Sequence, residues 1–317
     1  MLPPMLAYAF RRILWFVPIL LGVATVTFLL LHVLPGDPVL SMVGERYDDA
    51  TLQRLRAEMH LDAPLYERYG RYLADLAHFD LGTSYVTGVP VWDSIRERFP
   101  NTLRLAAAAM AIAVGFGVTI GVIAASRRGS ALDYLLVGGA VVGVSMPVFW
   151  LGVLLIYLFS MRLGVLPASG FGNGNPLYVV LPAVTLAMAS TAYIARITRS
   201  SVLDEINETY VKAARAKGAG ESRVLVRHAL RNALLPIITV VGVDFGSYLS
   251  GAVLTESIFA WPGLGRFTLD AILKRDLPAI QGAVLFMAIL FMVVNLLVDL
   301  LYARVDPRVK LARGSET

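Results

Sequence analysis

Apolar residues in this chain gather in long uninterrupted blocks separated by polar stretches. Ile13 to Leu34 is a run of 22 residues without a formal charge, long enough for a helix to cross about 30 Å of hydrocarbon. Further uncharged runs occupy Leu105–Ser126 and Tyr134–Met161. Leu163–Ala195 is uncharged too, but its first part, Gly164 to Pro176, is rich in Gly, Pro and Asn and reads as a loop. Leu177–Ala195 then forms a helix. Leu235–Thr255, broken only by Asp244, and Leu277–Leu301, broken only by Asp299, close the series. The pattern predicts an all-α polytopic membrane protein with six transmembrane helices.

The polar stretches divide the chain further. Residues 1–34 hold the N-terminus and the first span, 35–104 form a segment too polar to cross anything, and 105–317 carry the other five spans. Within 35–104, candidate helices are Asp49–His60, Leu65–Ala77 and Pro90–Phe99, joined by turn signals such as Asp62-Ala-Pro64 and Asp80-Leu-Gly-Thr-Ser84. The segment has eight cations and eleven acids, a net charge of −3. It reads as a small helical extracytoplasmic domain, either a rigid cap on the bundle or a docking surface for a soluble partner.

Composition agrees: 57% hydrophobic residues, 16% charged and a mean hydropathy of +0.67 are too apolar for a soluble domain of 317 residues. The basic pI near 9.5 does not point to nucleic acid, because the cations sit in short stretches beside apolar spans. With both ends cytoplasmic, the inside segments hold 16 of the 28 cations, eight of them in Arg196–Arg231. The short outer loops hold only Arg162, Arg266, Lys274 and Arg275, so the positive-inside bias sets the orientation. Arg11 and Arg12 before the first run imitate a signal peptide, yet the run is longer than a signal core and Leu34-Pro-Gly-Asp-Pro38 is no small-x-small cleavage site. The first helix is read as retained. With no cysteine and four scattered histidines, disulfides and thiol nucleophiles are excluded and a metal site is not expected.

The segment from Tyr210 to Pro236 is basic, rich in small residues and placed between two spans. Leu203, Ile206, Tyr210 and Ala214 recur at spacings of 3, 4 and 4, one stripe of a helix. Gly218 and Gly220 then break it, as glycine does at helix ends. A second helix follows from Glu221, with Leu225, Ala229 and Leu230 on an apolar face running into the fifth span at Pro236. Ala213, Ala214 and Ala216 leave room for close approach, while Lys212, Arg215 and Lys217 supply charge. On physical grounds two partners are open: anionic lipid headgroups, at about 1 kcal/mol per cation, or a protein on the cytoplasmic side.

Lys212-Ala-Ala followed by Gly218 resembles the "EAA" signature of ABC-importer permeases, with Lys212 where the general signature has Glu. The dipeptide/oligopeptide (peptide/nickel) branch looks like Tyr-x-x-x-Ala-x-Ala-Lys-Gly, then Arg-His-Ala-Leu-x-Asn. Those positions are here Tyr210, Ala214, Ala216, Lys217, Gly218, Arg227, His228, Ala229, Leu230 and Asn232. Leu34–Pro38, Asp80–Ser84, Glu256–Gly265 and Asp299–Arg308 are similar to segments of the same family, and the likeness covers nearly the whole chain. It implies a type I (MetI-like) permease core and a role as half of a translocation path for short peptides. It also implies a cytoplasmic loop, 196–235, whose short helix enters a cleft of an ATPase. Implied partners are a homologous second permease in a heterodimer, two ATPase subunits that bind ATP and Mg, a soluble extracytoplasmic binding protein and the surrounding membrane lipid, with no nucleic acid. Permeases for nickel chelates and glutathione share this architecture. The chain has no Gly-x-x-x-x-Gly-Lys-[Ser/Thr], so it cannot cradle nucleotide itself and ATP hydrolysis is expected on a separate polypeptide. It also has no His-Glu-x-x-His, no Gly-x-Ser-x-Gly and no cysteine, so neither an enzyme nor a cofactor of its own is expected.

Inside the membrane, Asp244 sits mid-span, where an ionised carboxylate costs at least about 2.5 kcal/mol. It either lines the translocation path or anchors a helix contact. Pro147 should kink the third span and free a carbonyl four residues back. Glu256 is grouped with these two as a candidate path residue, although it and Asp299 lie near helix ends, where a structural role competes. A proton-coupled secondary transporter using Asp244 and His32 is the alternative of another class. It would leave the basic loop unexplained, and the six spans show no clear inverted repeat.

Overall fold

The computed structural model describes residues 4–33, 39, 49–58 and 61–305. Leu34–Pro38, the end of the predicted helix at 59–60, the side chain of His32 and the tail beyond 305 lie outside the described residues. The described residues fold into helices with no strand: α1 (Pro4–Val33), α2 (Asp49–Glu58), α3 (Leu65–Ala77), α4 (Val91–Ser126), α5 (Ala131–Ser145), α6 (Val148–Leu155), α7 (Leu177–Ile206) and α8 (Thr209–Ala216). A π-helical stretch, Val224–Ala229, leads into α9 (Leu230–Leu249), and α10 (Val253–Ile258), α11 (Leu264–Leu273) and α12 (Leu277–Val305) complete the chain. Five helical runs are long and apolar enough to cross a membrane, and a sixth crossing is made if the bent pair Ala131–Ser145 and Val148–Arg162 acts as one.

That bent pair departs from the expected kink. Met146 is extended (φ −79°, ψ 129°), and the axes on either side differ by 102°. The residue before a proline is pushed out of the helical region by the ring, and here the chain has broken outright. Pro100, Pro182 and Pro236 all stay inside continuous helices. The helix expected at Pro90–Phe99 is also different: it is the first part of α4, 36 residues long. The boundary placed between residues 104 and 105 therefore falls within one rigid rod. The fifth span stops at Leu249, since Gly251 turns left-handed (φ 107°), and Thr255 belongs to the separate helix α10.

The bundle is organised on α4 and α7. A Cβ on Gly121 would stand 2.5 Å from Thr198 Cβ and 2.6 Å from the Ala195 carbonyl, and one on Gly117 would stand 2.9 Å from Ile194 Cβ. Small residues four apart let helix backbones approach closely where lipid offers no hydrophobic drive. Two buried clusters lie along this pair, and a third joins the start of α4 to α11 and α12. Leu105, Ala109, Ala183, Ile194, Ile237 and Tyr248 belong to the central one. Ala125, Val202, Ala229 and Ala233 form the cluster at the basic end. Val91, Ile95, Leu264 and Ile280 form the cluster at the opposite end.

The opposite end is locked by polar groups that are remote in sequence. Glu256 is 0% exposed. Its carboxylate accepts from Thr102 Oγ1 at 2.8 Å, from the Arg266 N–H at 2.9 Å and from the Gly265 N–H. It thus occupies the N-terminus of α11, where the free N–H groups of a helix start favour an anion. Thr102 Oγ1 accepts in turn from the Leu264 N–H at 2.8 Å, and Trp261 Nε1 donates to the Asn101 carbonyl at 3.0 Å. A Cβ at Gly263 would lie 2.3 Å from Glu256 Cδ, so the Pro-Gly-Leu-Gly run is the shape the carboxylate requires. Beside it, buried Asp276 accepts from Ser84 Oγ at 2.5 Å and the Tyr85 N–H at 3.0 Å. The Asp80–Ser84 turn is thereby fastened to the bundle.

Burial pushes the pKa of Glu256 above 4.5, and its donors only partly offset this. Its folded pKa is raised, so the fold holds more protons than the unfolded chain just above pH 4.5 and stability falls as pH rises through that window. Thermal unfolding of Glu256→Gln should therefore lack the part of the pH dependence that wild type shows there. Parallel pH profiles for the two proteins would contradict this.

Candidate functional site

The basic stretch after α7 is where the sequence concentrates its candidate residues. α7 continues past Ala195 to Ile206, because Arg196, Arg199 and Asp204 are as compatible with a helix as the apolar residues before them. The single stripe Leu203, Ile206, Tyr210, Ala214 is consequently split. Leu203 and Ile206 end α7, the chain turns at Asn207 and Glu208, and Tyr210 and Ala214 lie on α8. The two parts still share an interior: Leu203, Ile206 and Leu225 pack on Val202 and Ala229, and Val211 is fully buried.

After α8 the elbow forms at Gly218 alone. Its φ of 84° is the left-handed conformation that glycine takes without steric cost, whereas Gly220 has an ordinary φ of −66° and precedes the next helix. Arg215 closes the elbow, donating from Nε and Nη2 to Glu221 at 3.1 and 2.5 Å. The Arg215 guanidinium holds the Glu221 carboxyl below the usual carboxylate range.

Tyr210 ties three elements. Its hydroxyl donates to the Glu205 carboxylate at the end of α7, accepts from Asn232 Nδ2 at 2.7 Å on α9, and lies 3.4 Å from the His228 carbonyl. Burial first, and then the hydrogen bond with Glu205, pushes its pKa up to about 12. Glu205 and Glu221 were not among the residues singled out by sequence. The available signals were the opposite charge of Glu221 six positions after Arg215 and the carboxylate of Glu205 five positions before Tyr210.

With these braces made, Lys212, Ala213, Ala216, Lys217 and Gly218 face outward, Arg227 lies exposed on the next helix, and Ala214 is half-buried. No atom lies within 4 Å of a Cβ built on Gly218. The result is a small, flat surface of alanine and glycine, flanked by cations and held rigid from behind.

Asp244, Pro147 and Glu256 are not brought together. Glu256 is sealed in the network at the opposite end, away from any opening. Asp244 is half-buried on α9, one turn before Tyr248, whose hydroxyl lies 2.6 Å from Ser190 Oγ and 3.0 Å from the Leu186 carbonyl. Among the described residues no cation pairs with Asp244. Pro147 stands in the crook of the broken pair, a concavity of about 440 Å³ lined by residues that include Val142, Met146, Phe149 and Trp150.

Residues 117–311 match the family described as "binding-protein-dependent transport system inner membrane component", and residues 5–106 match its N-terminal companion. The chain is 42% identical to the dipeptide transport system permease protein DppB of Escherichia coli, over 96% of this chain and 99% of that one. It is 41% identical to the DppB of Alkalihalophilus pseudofirmus over 96% and 100%. A putative peptide transport system permease protein of Brucella abortus is 43% identical over 96% and 99%. Among solved structures, the MetNI methionine ABC transporter in an inward-facing conformation aligns with a TM-score of 0.58 at 17% identity, covering 67% of this chain and 96% of that one.

Proposed function

The chain belongs to the binding-protein-dependent transport system inner membrane components, and on that premise we propose that it forms half of the path by which short peptides enter the cell. It is a multi-pass permease subunit of the inner membrane, a transport component and not an enzyme. Its family works with an ATPase and a binding protein. The assignment of peptides rests on relatives that carry that substrate in their names and align end to end with this chain. The assembly is a heterodimer with a homologous permease, two ATPase subunits that hold ATP and Mg, and a soluble binding protein on the outer face. Both termini are cytoplasmic, as the cation bias favours, and the segment 35–104 lies outside.

The coupling surface is the exposed face of α8. Ala213, Ala216 and Gly218 admit an ATPase wall at close range, and Lys212, Lys217 and Arg227 orient it. What supports this is the bracing: Tyr210 and the Arg215–Glu221 pair join α8 to the ends of α7 and α9. Movement of α8 is then passed to two membrane helices as a rigid body. Asp244, half-buried and without a cation, lines the path together with the crook at Pro147. A broken helix leaves backbone groups unpaired, and lipid does not tolerate those.

The test is uptake of a labelled dipeptide by the complete transporter in proteoliposomes, with glutathione and a nickel chelate as competitors. ATP-dependent dipeptide uptake is expected, and in the same assay Asp244→Asn should lower uptake per assembled complex without lowering basal ATP hydrolysis. Uptake confined to glutathione or nickel chelate would replace the substrate. Unchanged uptake by Asp244→Asn would remove that residue from the path.

A further inference from the structure

A second feature of the basic end lies on the flank of the bundle, away from α8, and its deep end adjoins the crook at Val141 and Ser145. A narrow cleft of about 120 Å³ opens between α4, α5 and α7, with Ile120, Ala124, Leu136, Ala140, Val144 and Tyr193 on its walls. Its lining is almost wholly apolar until it reaches Arg196 and Arg199. Arg199 is already satisfied: it donates from Nε and Nη2 to Asp133, both at 2.7 Å. The same carboxylate accepts from the Gly129 N–H at 3.0 Å and feels the charge of Arg128. One acid thus serves two cations, and among the described residues no acid pairs with Arg196. Its guanidinium is exposed and sits 5.2 Å above the Tyr193 ring.

Depth identifies what meets this cation. Arg196 follows Leu177, the first residue of α7, by 19 positions, which is about 28 Å along a helix. That is where about 30 Å of hydrocarbon gives way to headgroups, and a tyrosine under an arginine suits that boundary. The cleft below is too small for a protein helix, which is about 10 Å across with its side chains. It has the form of a slot for one alkyl chain, with alanines where a chain would press closest.

We propose that this cleft binds one anionic phospholipid of the leaflet at the basic end. Its phosphate pairs with Arg196 and one acyl chain lies along Ala124, Ala140 and Val144. Arg196 and the slot walls at Ala124, Ala140 and Val144 belong neither to the coupling surface nor to the lining of the crook, and the site stands whatever solute the transporter carries.

The test uses the assembled transporter in nanodiscs of phosphatidylcholine with a minor fraction of phosphatidylglycerol, and counts phosphatidylglycerol retained per complex by native mass spectrometry. Wild type should retain phosphatidylglycerol saturably. Arg196→Gln should need roughly fivefold more of it, the factor one interfacial cation contributes near an anionic surface. Ala140→Phe, which fills the slot and keeps every charge, should lower retention as well. Excess inorganic phosphate should not displace the lipid. Equal retention by wild type and both variants would overturn the site, as would displacement by phosphate. A photo-crosslinker at Ala140 that labels the second permease instead of lipid would overturn it too. Should Arg196→Gln fail to assemble, a wild-type titration that rises without saturation decides against the proposal.

Discussion

Ala213→Glu is expected to lower ATP-driven uptake at least tenfold while leaving the chain folded and inserted. Ala213 is exposed on α8, and glutamate is nearly as good a helix former as alanine, so the folded permease has little reason to object. The cost arises only when the ATPase docks, because a longer, charged side chain stands where the surface is flat. A loss of about 1.4 kcal/mol in docking is already tenfold. Gly218→Glu should also fail, but less cleanly. At φ 84° a side chain adds about 1–2 kcal/mol of backbone strain to the steric effect. Uptake per complex and ATPase co-purification are the measurements, with exposed Ser200→Glu as control. Wild-type uptake by Ala213→Glu would place the coupling surface elsewhere.

Gly121→Leu should prevent folding. Its Cβ alone would fall 2.5 Å from Thr198 Cβ and 2.6 Å from a backbone oxygen, and no rotamer change relieves a clash with backbone. Separating α4 from α7 also opens the central cluster, so the loss should exceed about 4 kcal/mol, at the far end of single-residue effects. Gly115→Leu is the control: six residues away on the same helix, it has nothing within 4 Å. Monodisperse protein recovered in detergent should be absent for the first and near wild type for the second. Comparable yields would mean that the two helices are held by something other than close backbone contact.

These contrasts show where sequence is informative. An uncharged run of about 20 residues is a one-dimensional signal with few alternative explanations in a membrane protein, and the spans were legible for that reason. Gly218 was legible because a glycine after a helical stripe has one common use. The joining of Val91–Phe99 to the second span was not. Asp93, Arg96, Glu97 and Arg98 look like a separate surface helix, and only packing of Val91 and Ile95 on Leu264 and Ile280 makes them the root of a longer one. Proline was ambiguous in itself, breaking the chain at Pro147 and nowhere else among the helices that contain it. Glu256 lay beyond local reasoning, since its partner Thr102 is 154 positions away.

The break at Pro147 also bears on how the protein is made. Helix α5 has 15 residues, and the half that follows Pro147 has 8 plus 7. Each half reaches about 22 Å, so neither partitions into the bilayer on its own as it leaves the ribosome. Asp133 at the head of α5 waits for Arg199, 66 positions later, before its charge is neutralised. The nascent chain must hold both halves beside α4 until α7 arrives. Polar substitutions in either half should therefore surface as chains cleared by quality-control proteases, not as idle transporters in the membrane.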